Sequence, residues 1–282
     1  MSTRKPVNAG RRSGRRFKAS LGQNFLADAN AARGIVSALG DISSSVVVEI
    51  GAGRGALTKL LAAHASHLIA TELDEMLAAK LRVAHAGQQN VEIVHANFLS
   101  ASLSELLPHR EPALQAKVIG NIPYYITSDI LLRLFEQHEF IETAVLMVQK
   151  EVADRLASQP GSRDYGLLTV TTRLFADVER LFTLPPSAFS PPPQVYSSVL
   201  RLTMNPKATS LGVDPTAFLN FCKLAFAQKR KTLYNNLRGR YEEKKLRAAF
   251  GSIHVRDDAR AETLSLEQLA SIHRYLIEPA TS

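Results

Sequence analysis

A glycine-rich turn and a carboxylate downstream of it form the first group of residues that could do chemistry. Residues 51–55 (Gly-Ala-Gly-Arg-Gly) follow the β-branched run Val46–Ile50, and Glu72 lies 21 residues after the first glycine. A carboxylate at that distance can accept both ribose hydroxyls of an adenosine-bearing ligand, and the glycines let backbone amides approach it. Because Ala56 stands where the dinucleotide fingerprint has its third glycine, the pattern disfavours NAD. The alternative interpretation is a tight strand-to-helix connection without a ligand.

A second group, residues 120–125 (Gly-Asn-Ile-Pro-Tyr-Tyr), follows the fourth apolar run of the chain. An asparagine followed by X-Pro-aromatic resembles the signature of methyltransferases that act on exocyclic amino nitrogens. The amine of a nucleobase is a weak nucleophile, since its lone pair is delocalised into the ring. If the Asn121 side-chain oxygen and the Ile122 carbonyl oxygen accept its N–H groups, they orient the lone pair without a strong base. The alternative is a turn at the end of a strand.

Both groups need a sheet whose strands end at one edge, as parallel strands do. Up to residue 149, uniformly apolar runs alternate with helical spacing, which is typical of buried strands in βαβ units and predicts a doubly wound sheet. The runs stand at 46–50, 68–71, 91–94, 117–120 and 144–149, with helical spacing at 57–64, 76–84 and 127–135. Two further runs, 178–182 and 197–202, flank a proline-rich stretch and predict an antiparallel pair at the sheet edge.

These patterns predict three parts of the chain. Residues 1–16 are basic and almost free of apolar side chains, so we expect a mobile arm. Residues 17–206 carry the sheet, and prolines between 206 and 215 mark the boundary that follows it. Residues 207–282 show helical spacing, so we expect a small all-helical C-terminal domain.

The positive charge of the chain is local. The formal net charge is +8, yet residues 1–18 hold seven basic groups and residues 223–240 hold six, with no acid in either segment. The rest of the chain is therefore 5 units negative. Two basic segments favour contact with a polyanion, and a solubilising tail and a solvated helix face are the alternatives.

The two chemical groups belong to a longer series of motifs that resembles the ribosomal RNA adenine dimethyltransferase family. The series also includes Gly-Gln-Asn-Phe-Leu at 22–26, Glu-Leu-Asp at 72–74, Gln-Lys-Glu-Val at 149–152 and the proline-rich stretch 186–195. Within the family, Gln-Lys-Arg-Lys-Thr at 228–232 resembles the branch that acts on small-subunit RNA. The resemblance implies an α/β fold: a Rossmann-like S-adenosylmethionine-dependent methyltransferase with a mostly parallel seven-stranded sheet, plus the helical C-terminal domain. It implies N6,N6-dimethylation of two adjacent adenosines near the 3′ end of small-subunit (16S) ribosomal RNA, coupled to subunit maturation.

The resemblance also implies roles for individual residues. S-adenosylmethionine would be contacted by six of them: Asn24, Leu26, Gly51, Glu72, Asn97 and Asn121. Asn97 stands where the family commonly has aspartate, and its amide oxygen can still accept from the adenine amino group. Asn121, Tyr124 and Phe189 would act at the target base, which must leave its stack to be reached. The two aromatic rings would lie on its two faces, although Phe189 could instead be a core residue that anchors the proline-rich loop.

The partners and setting follow from the same motifs. Four residues would hold RNA phosphates: Lys229, Arg230, Lys231 and Arg238. The expected partner is small-subunit RNA or the immature small subunit, bound by a monomer without metal or membrane. The single cysteine, Cys222, excludes an internal disulfide and favours the cytoplasm. Two alternatives stay open: a large-subunit adenine methyltransferase that confers antibiotic resistance, and a non-catalytic RNA-binding assembly factor.

Overall fold

The computed structural model describes residues 24–107 and 115–278, and within these ranges the apolar runs form strands. The strands are β1 (Phe25–Leu26), β2 (Val46–Ile50), β3 (His67–Glu72), β4 (Val91–His95), β5 (Ala116–Asn121), β6 (Ile141–Gln149), β7 (Ala176–Leu184), β8 (Phe189–Ser190) and β9 (Ser197–Met204). Seven of them form one sheet in the order β4-β3-β2-β5-β6-β9-β7, and β1 pairs with β8. The seven-stranded sheet predicted from the sequence is confirmed.

The sheet is parallel in its centre and antiparallel at one edge. Strands β2 to β6 pair in parallel, with Val48 opposite both Ile69 and Val118. Strand β9 lies antiparallel between β6 and β7, which confirms the predicted edge pair. All residues of β2 are buried, because helices cover both faces of the sheet there. The strand order reverses between β2 and β5, and such reversals are where open α/β sheets bind ligands.

Helices connect the parallel strands and make up most of the chain after β9. Their bounds are α1 (Ala29–Ser37), α2 (Thr58–Ala62), α3 (Glu75–Ala84), α4 (Leu103–Leu106), α5 (Thr127–Glu136), α6 (Lys150–Ala157), α7 (Leu167–Phe175), α8 (Ala208–Leu211), α9 (Pro215–Ala225), α10 (Leu233–Leu237), α11 (Glu243–Ser252) and α12 (Leu266–Ile277). Asp28 and Asp74 cap α1 and α3 through their carboxylates. Helices α6 and α7 fall where the spacing predicted no element.

Buried side chains form two clusters that include opposite faces of the sheet. One cluster contains Val47 and Ile119 together with side chains of α1 and α2. The other contains Val48 and Val118, and it continues without a break into Phe221 and other buried side chains of α9 to α12. The apolar core therefore runs across residue 206, where the sequence predicted a domain boundary.

The predicted basic arm, residues 1–16, lies outside the residues that the structure describes. Within them, every helix is too short or too polar to cross a lipid bilayer.

Candidate active site

An open cleft lies at the carboxyl ends of β2, β3 and β5. It is lined by residues that come from separate parts of the chain and include six of the predicted site residues: Asn24, Gly51, Glu72, Asn97, Asn121 and Tyr124. The reversal of strand order brings these segments together, because β2 has β3 on one side and β5 on the other.

The glycine turn forms the floor of the cleft at the end of β2. Gly51 and Gly53 have φ of 68° and 58°, in the left-handed region that glycine adopts without a Cβ clash. A Cβ on Gly53 would lie 3.2 Å from the Phe25 ring. The N–H groups of Gly51 and Ala52 donate to the Thr71 carbonyl oxygen at 2.9 and 3.0 Å. The glycine pattern predicted that backbone amides of this turn approach a ligand. The N–H groups of Gly51 and Ala52 instead hold the turn against β3.

Glu72, at the end of β3, is held by two backbone N–H groups. Its Oε2 accepts from the Gly53 N–H at 2.7 Å, and its Oε1 accepts from the Asp74 N–H at 2.9 Å. An ionised carboxylate can accept about four hydrogen bonds, so each oxygen keeps one free position. The buried carboxylate therefore lines the cleft with one acceptor position left on each oxygen.

A second carboxylate, Glu49, lies buried in β2 behind the glycine turn. Its Oε2 accepts from the Thr58 hydroxyl at 2.7 Å. Burial raises the pKa of Glu49 to about 7, the Thr58 hydrogen bond opposes the shift, and the nearby Glu72 carboxylate adds to it. No role was predicted for Glu49 from the sequence, although an acid inside an otherwise apolar strand was an available signal.

Asn121 ends β5 and has a fixed side-chain orientation. Its Nδ2 donates to the Asn24 carbonyl oxygen at 2.8 Å. That bond commits the amide nitrogen to the N-terminal segment and leaves Oδ1 as an acceptor for another group. Gly120 allows the close packing beneath it, since a Cβ there would lie 2.9 Å from Ile122 Cδ1 and 3.0 Å from the Ile50 carbonyl oxygen.

Tyr124 is anchored through its hydroxyl. The Tyr124 hydroxyl and the Ser197 hydroxyl are 2.7 Å apart, and Ser197 is fully buried at the start of β9. Partial burial raises the pKa of Tyr124, so the phenol stays neutral at physiological pH. The ring is thus held at the cleft by its far end, which leaves its face to contact a ligand.

Two more residues of the cleft lining are Asn97, for which the sequence predicted a role, and Phe25, for which it did not. Asn97 is exposed after β4, and its Oδ1 accepts from the Leu99 N–H at 3.1 Å. Phe25 lines the cleft with the Arg54 guanidinium 4.2 Å from its ring centre. Phe25 stood in a motif of the resemblance, yet no role was predicted for it.

Leu26 and Phe189 are not among the residues that line the cleft. They face each other across the β1–β8 pair, and both side chains are buried, Phe189 to 4% exposure. Both belong to the core cluster that contains α1 and α2. This placement favours the alternative interpretation of Phe189 as the core residue that anchors the proline-rich loop.

The predicted RNA-binding residues are exposed in and beside a second cleft. Lys229 and Lys231 line it together with Arg155 and Arg163, and Lys229 donates to the Arg163 carbonyl oxygen. Two acids, Asp164 and Glu262, share the lining, so the charge of the cleft is positive on balance. The other two predicted residues, Arg230 and Arg238, are exposed outside this lining.

The sequence matches the family described as ribosomal RNA adenine dimethylase over residues 14–278. Ribosomal RNA small subunit methyltransferase A of Koribacter versatilis (strain Ellin345) is 54% identical over 268 residues, which cover 92% of this chain and 94% of that protein. The protein of the same name from Acidobacterium capsulatum is 53% identical over 262 residues, 93% and 92% of the two chains. The similarity therefore extends over nearly the whole length of each.

Two solved structures share the fold over most of the chain. The crystal structure of a dimethyladenosine transferase from Plasmodium falciparum has a TM-score of 0.75 at 24% identity and covers 88% of this chain and 95% of that one. The 23S rRNA methyltransferase ErmE has a TM-score of 0.68 at 28% identity, with coverage of 90% and 100%.

Proposed function

The chain belongs to the ribosomal RNA adenine dimethylase family, and from this premise we propose that it dimethylates the N6 amino groups of two adjacent adenosines near the 3′ end of small-subunit (16S) ribosomal RNA. The methyl donor is S-adenosylmethionine. The observation that carries the proposal is the orientation of Asn121, whose Nδ2 is committed to Asn24 and whose Oδ1 is therefore an acceptor at the cleft.

The residues of the cleft fit S-adenosylmethionine. The left-handed turn at Gly51 and Gly53 leaves room where side chains would stand, and the two free acceptor positions on Glu72 suit the ribose. Asn97 lies at the cleft where the adenine ring would be contacted. When bound, the donor supplies a methyl group already activated by a sulfonium.

The chain itself contributes position and electrostatics to methyl transfer. Asn121 Oδ1 and the Ile122 carbonyl oxygen accept the two N–H groups of the adenine amine. This arrangement favours a pyramidal nitrogen whose lone pair points along one direction, and it acts most strongly where water is excluded. No strong base is required to activate the amine, because the proton is released, ultimately to solvent water, after the new N–C bond has formed.

The target adenosine must be extruded from its stack to reach this position. Tyr124, anchored by Ser197, would stack on one face of the extruded base. A contact of Phe189 with the other face stays a prediction, since its ring lies in the core in this structure.

The basic cleft would hold the RNA around the target. Lys229, Arg230, Lys231 and Arg238 are exposed, and phosphate contacts of this kind position RNA without reading its sequence. Selectivity then rests on RNA shape and on the extruded bases. We further propose that the accepted particle is an immature small subunit, that the enzyme acts as a monomer, and that it works in the cytoplasm.

Mass-spectrometric mapping of modified adenosines tests the proposal. Unmodified small and large subunits are incubated separately with the protein and S-adenosylmethionine, and a reaction without the donor is the control. We expect N6,N6-dimethyladenosine at two neighbouring positions near the 3′ end of the small-subunit RNA. Modification of the large-subunit RNA alone would support the other activity, for which the likeness to ErmE is the argument. Binding without modification of either RNA would support an assembly factor.

A further inference from the structure

Two tyrosines expose their rings to solvent beside the candidate active site. Tyr125 is 62% exposed and Tyr196 is 54% exposed. Among the hydrogen bonds between described residues, none uses either hydroxyl group. Neither ring is therefore explained by packing in the core or by a polar anchor, in contrast to Tyr124.

Each of the two tyrosines is a sequence neighbour of Tyr124 or of its hydrogen-bond partner Ser197. Tyr125 follows Tyr124 in the chain and lines the cleft itself. Tyr196 precedes Ser197, whose hydroxyl is hydrogen-bonded to that of Tyr124. The loop that carries Tyr196 begins at β8, beside β1 and the cleft residue Phe25, and ends at the Ser197 anchor. Both ends of this loop therefore lie next to residues of the cleft lining.

Positive charge accompanies the aromatic rings. The Tyr196 carbonyl oxygen accepts from the Lys150 N–H at 2.9 Å, which places the start of α6 beside it. The Lys150 ammonium and the Arg180 guanidinium share one carboxylate, that of Asp154. The group formed by Lys150, Asp154 and Arg180 therefore carries a net charge of +1, which would attract a phosphate to the start of α6, whose first N–H bonds to the Tyr196 carbonyl oxygen. Exposed aromatic rings next to cations are the pattern by which proteins bind unpaired nucleotides.

We propose that Tyr125 and Tyr196 form a nucleobase subsite that stacks the unpaired bases next to the extruded adenosine. The inference rests on the proposed function and names how that site holds its substrate. Tyr124 serves the base that reacts, whereas Tyr125 and Tyr196 hold its neighbours. Each tyrosine ring would replace a neighbouring base as the stacking partner. The two adjacent target nucleotides would then stay separated from the stack of the RNA and held at the cleft mouth.

Alanine and phenylalanine variants of both tyrosines test the subsite. Methylation kinetics on unmodified small subunits are measured for Tyr125→Ala, Tyr196→Ala, Tyr125→Phe and Tyr196→Phe, with calorimetric S-adenosylmethionine binding for each. Tyr275→Ala is the matched control, since Tyr275 is an exposed tyrosine on α12, away from the cleft lining. We expect each alanine variant to raise KM for the subunit by about 5- to 100-fold, with phenylalanine restoring it and S-adenosylmethionine affinity unchanged.

Fluorescence of 2-aminopurine gives a readout that does not depend on catalysis. The probe is a short unpaired RNA with 2-aminopurine beside an adenosine, and we expect the protein to quench it through Tyr125 and Tyr196. Unchanged KM and unchanged quenching in both alanine variants would overturn the subsite. A loss that phenylalanine does not restore, or a parallel loss of S-adenosylmethionine binding, would overturn it as well. Quenching without methylation by the unmodified protein would support the subsite and refute the proposed function.

Discussion

Replacing the buried Glu49 with glutamine is predicted to stabilise the protein at alkaline pH. Glu49 is 2% exposed within β2, and the Thr58 hydroxyl is the hydrogen-bond donor to its carboxylate. Glutamine has nearly the same shape, and its side-chain oxygen can accept the same bond. The substitution thus removes the buried negative charge with little change in packing.

The size of the effect follows from the pKa of Glu49, which burial raises from 4.5 to about 7. The native protein keeps the proton through a pH range in which the unfolded chain has lost it. Stability therefore falls as pH rises from 4.5 to about 7, and the full penalty is present above pH 7. A shift of this size corresponds to roughly 3 kcal/mol. At pH 5 the penalty is below about 1 kcal/mol.

Urea denaturation at pH 5 and pH 8.5 measures this difference. Glu49→Gln is expected to exceed the unmodified protein in free energy of unfolding by about 3 kcal/mol at pH 8.5 and by far less at pH 5. Glu139→Gln is the control, because Glu139 is exposed. A stability difference that does not change with pH, or a variant that is less stable at pH 8.5, would refute the reasoning.

Two further substitutions have outcomes that the structure determines. Gly120→Ala places a Cβ 2.9 Å from Ile122 Cδ1 and 3.0 Å from the Ile50 carbonyl oxygen. We expect the free energy of unfolding, measured by urea denaturation, to fall by about 1–3 kcal/mol and methyl transfer to be slower. Stability equal to that of the unmodified protein would contradict this. His273 is buried beside the Phe218 and Phe221 rings, neither of its ring nitrogens has a hydrogen-bond partner among the described residues, and burial lowers its pKa below 6.5. The unfolded chain then binds the proton first as pH falls, so stability drops below pH 6.5. His273→Leu should flatten that part of the curve of unfolding free energy against pH, and parallel curves would argue against the assignment.

Periodicity predicted the sheet because its strands obey local rules. The β-branched run that forms β2 and the turn after it can be predicted from residue types alone, because the positive φ at Gly51 favours glycine. Glu72 was found by spacing, which works because β3 runs parallel to β2 at a fixed register. Residues whose position depends only on their own segment can therefore be located from the sequence.

Contacts between distant segments could not be located in this way. The bond from Asn121 to the Asn24 carbonyl joins residues 97 positions apart, and nothing in either segment specifies it. Phe189 illustrates the same limit: its motif named it, whereas its burial depends on pairing between β8 and β1. The resemblance to a family supplied the candidate residues, and tertiary packing decided which of them meet at the cleft.

The most direct test of the proposed mechanism is the turnover of Asn121→Ala measured together with its affinity for S-adenosylmethionine. Asn205→Ala is the matched control, because Asn205 lies outside the cleft lining and contacts Asp177 on the far strand of the sheet. We predict that Asn121→Ala lowers kcat for dimethyladenosine formation by roughly 100- to 1000-fold while the donor still binds measurably. Turnover at the rate of the unmodified protein would contradict the mechanism, as would a loss explained entirely by weaker donor binding.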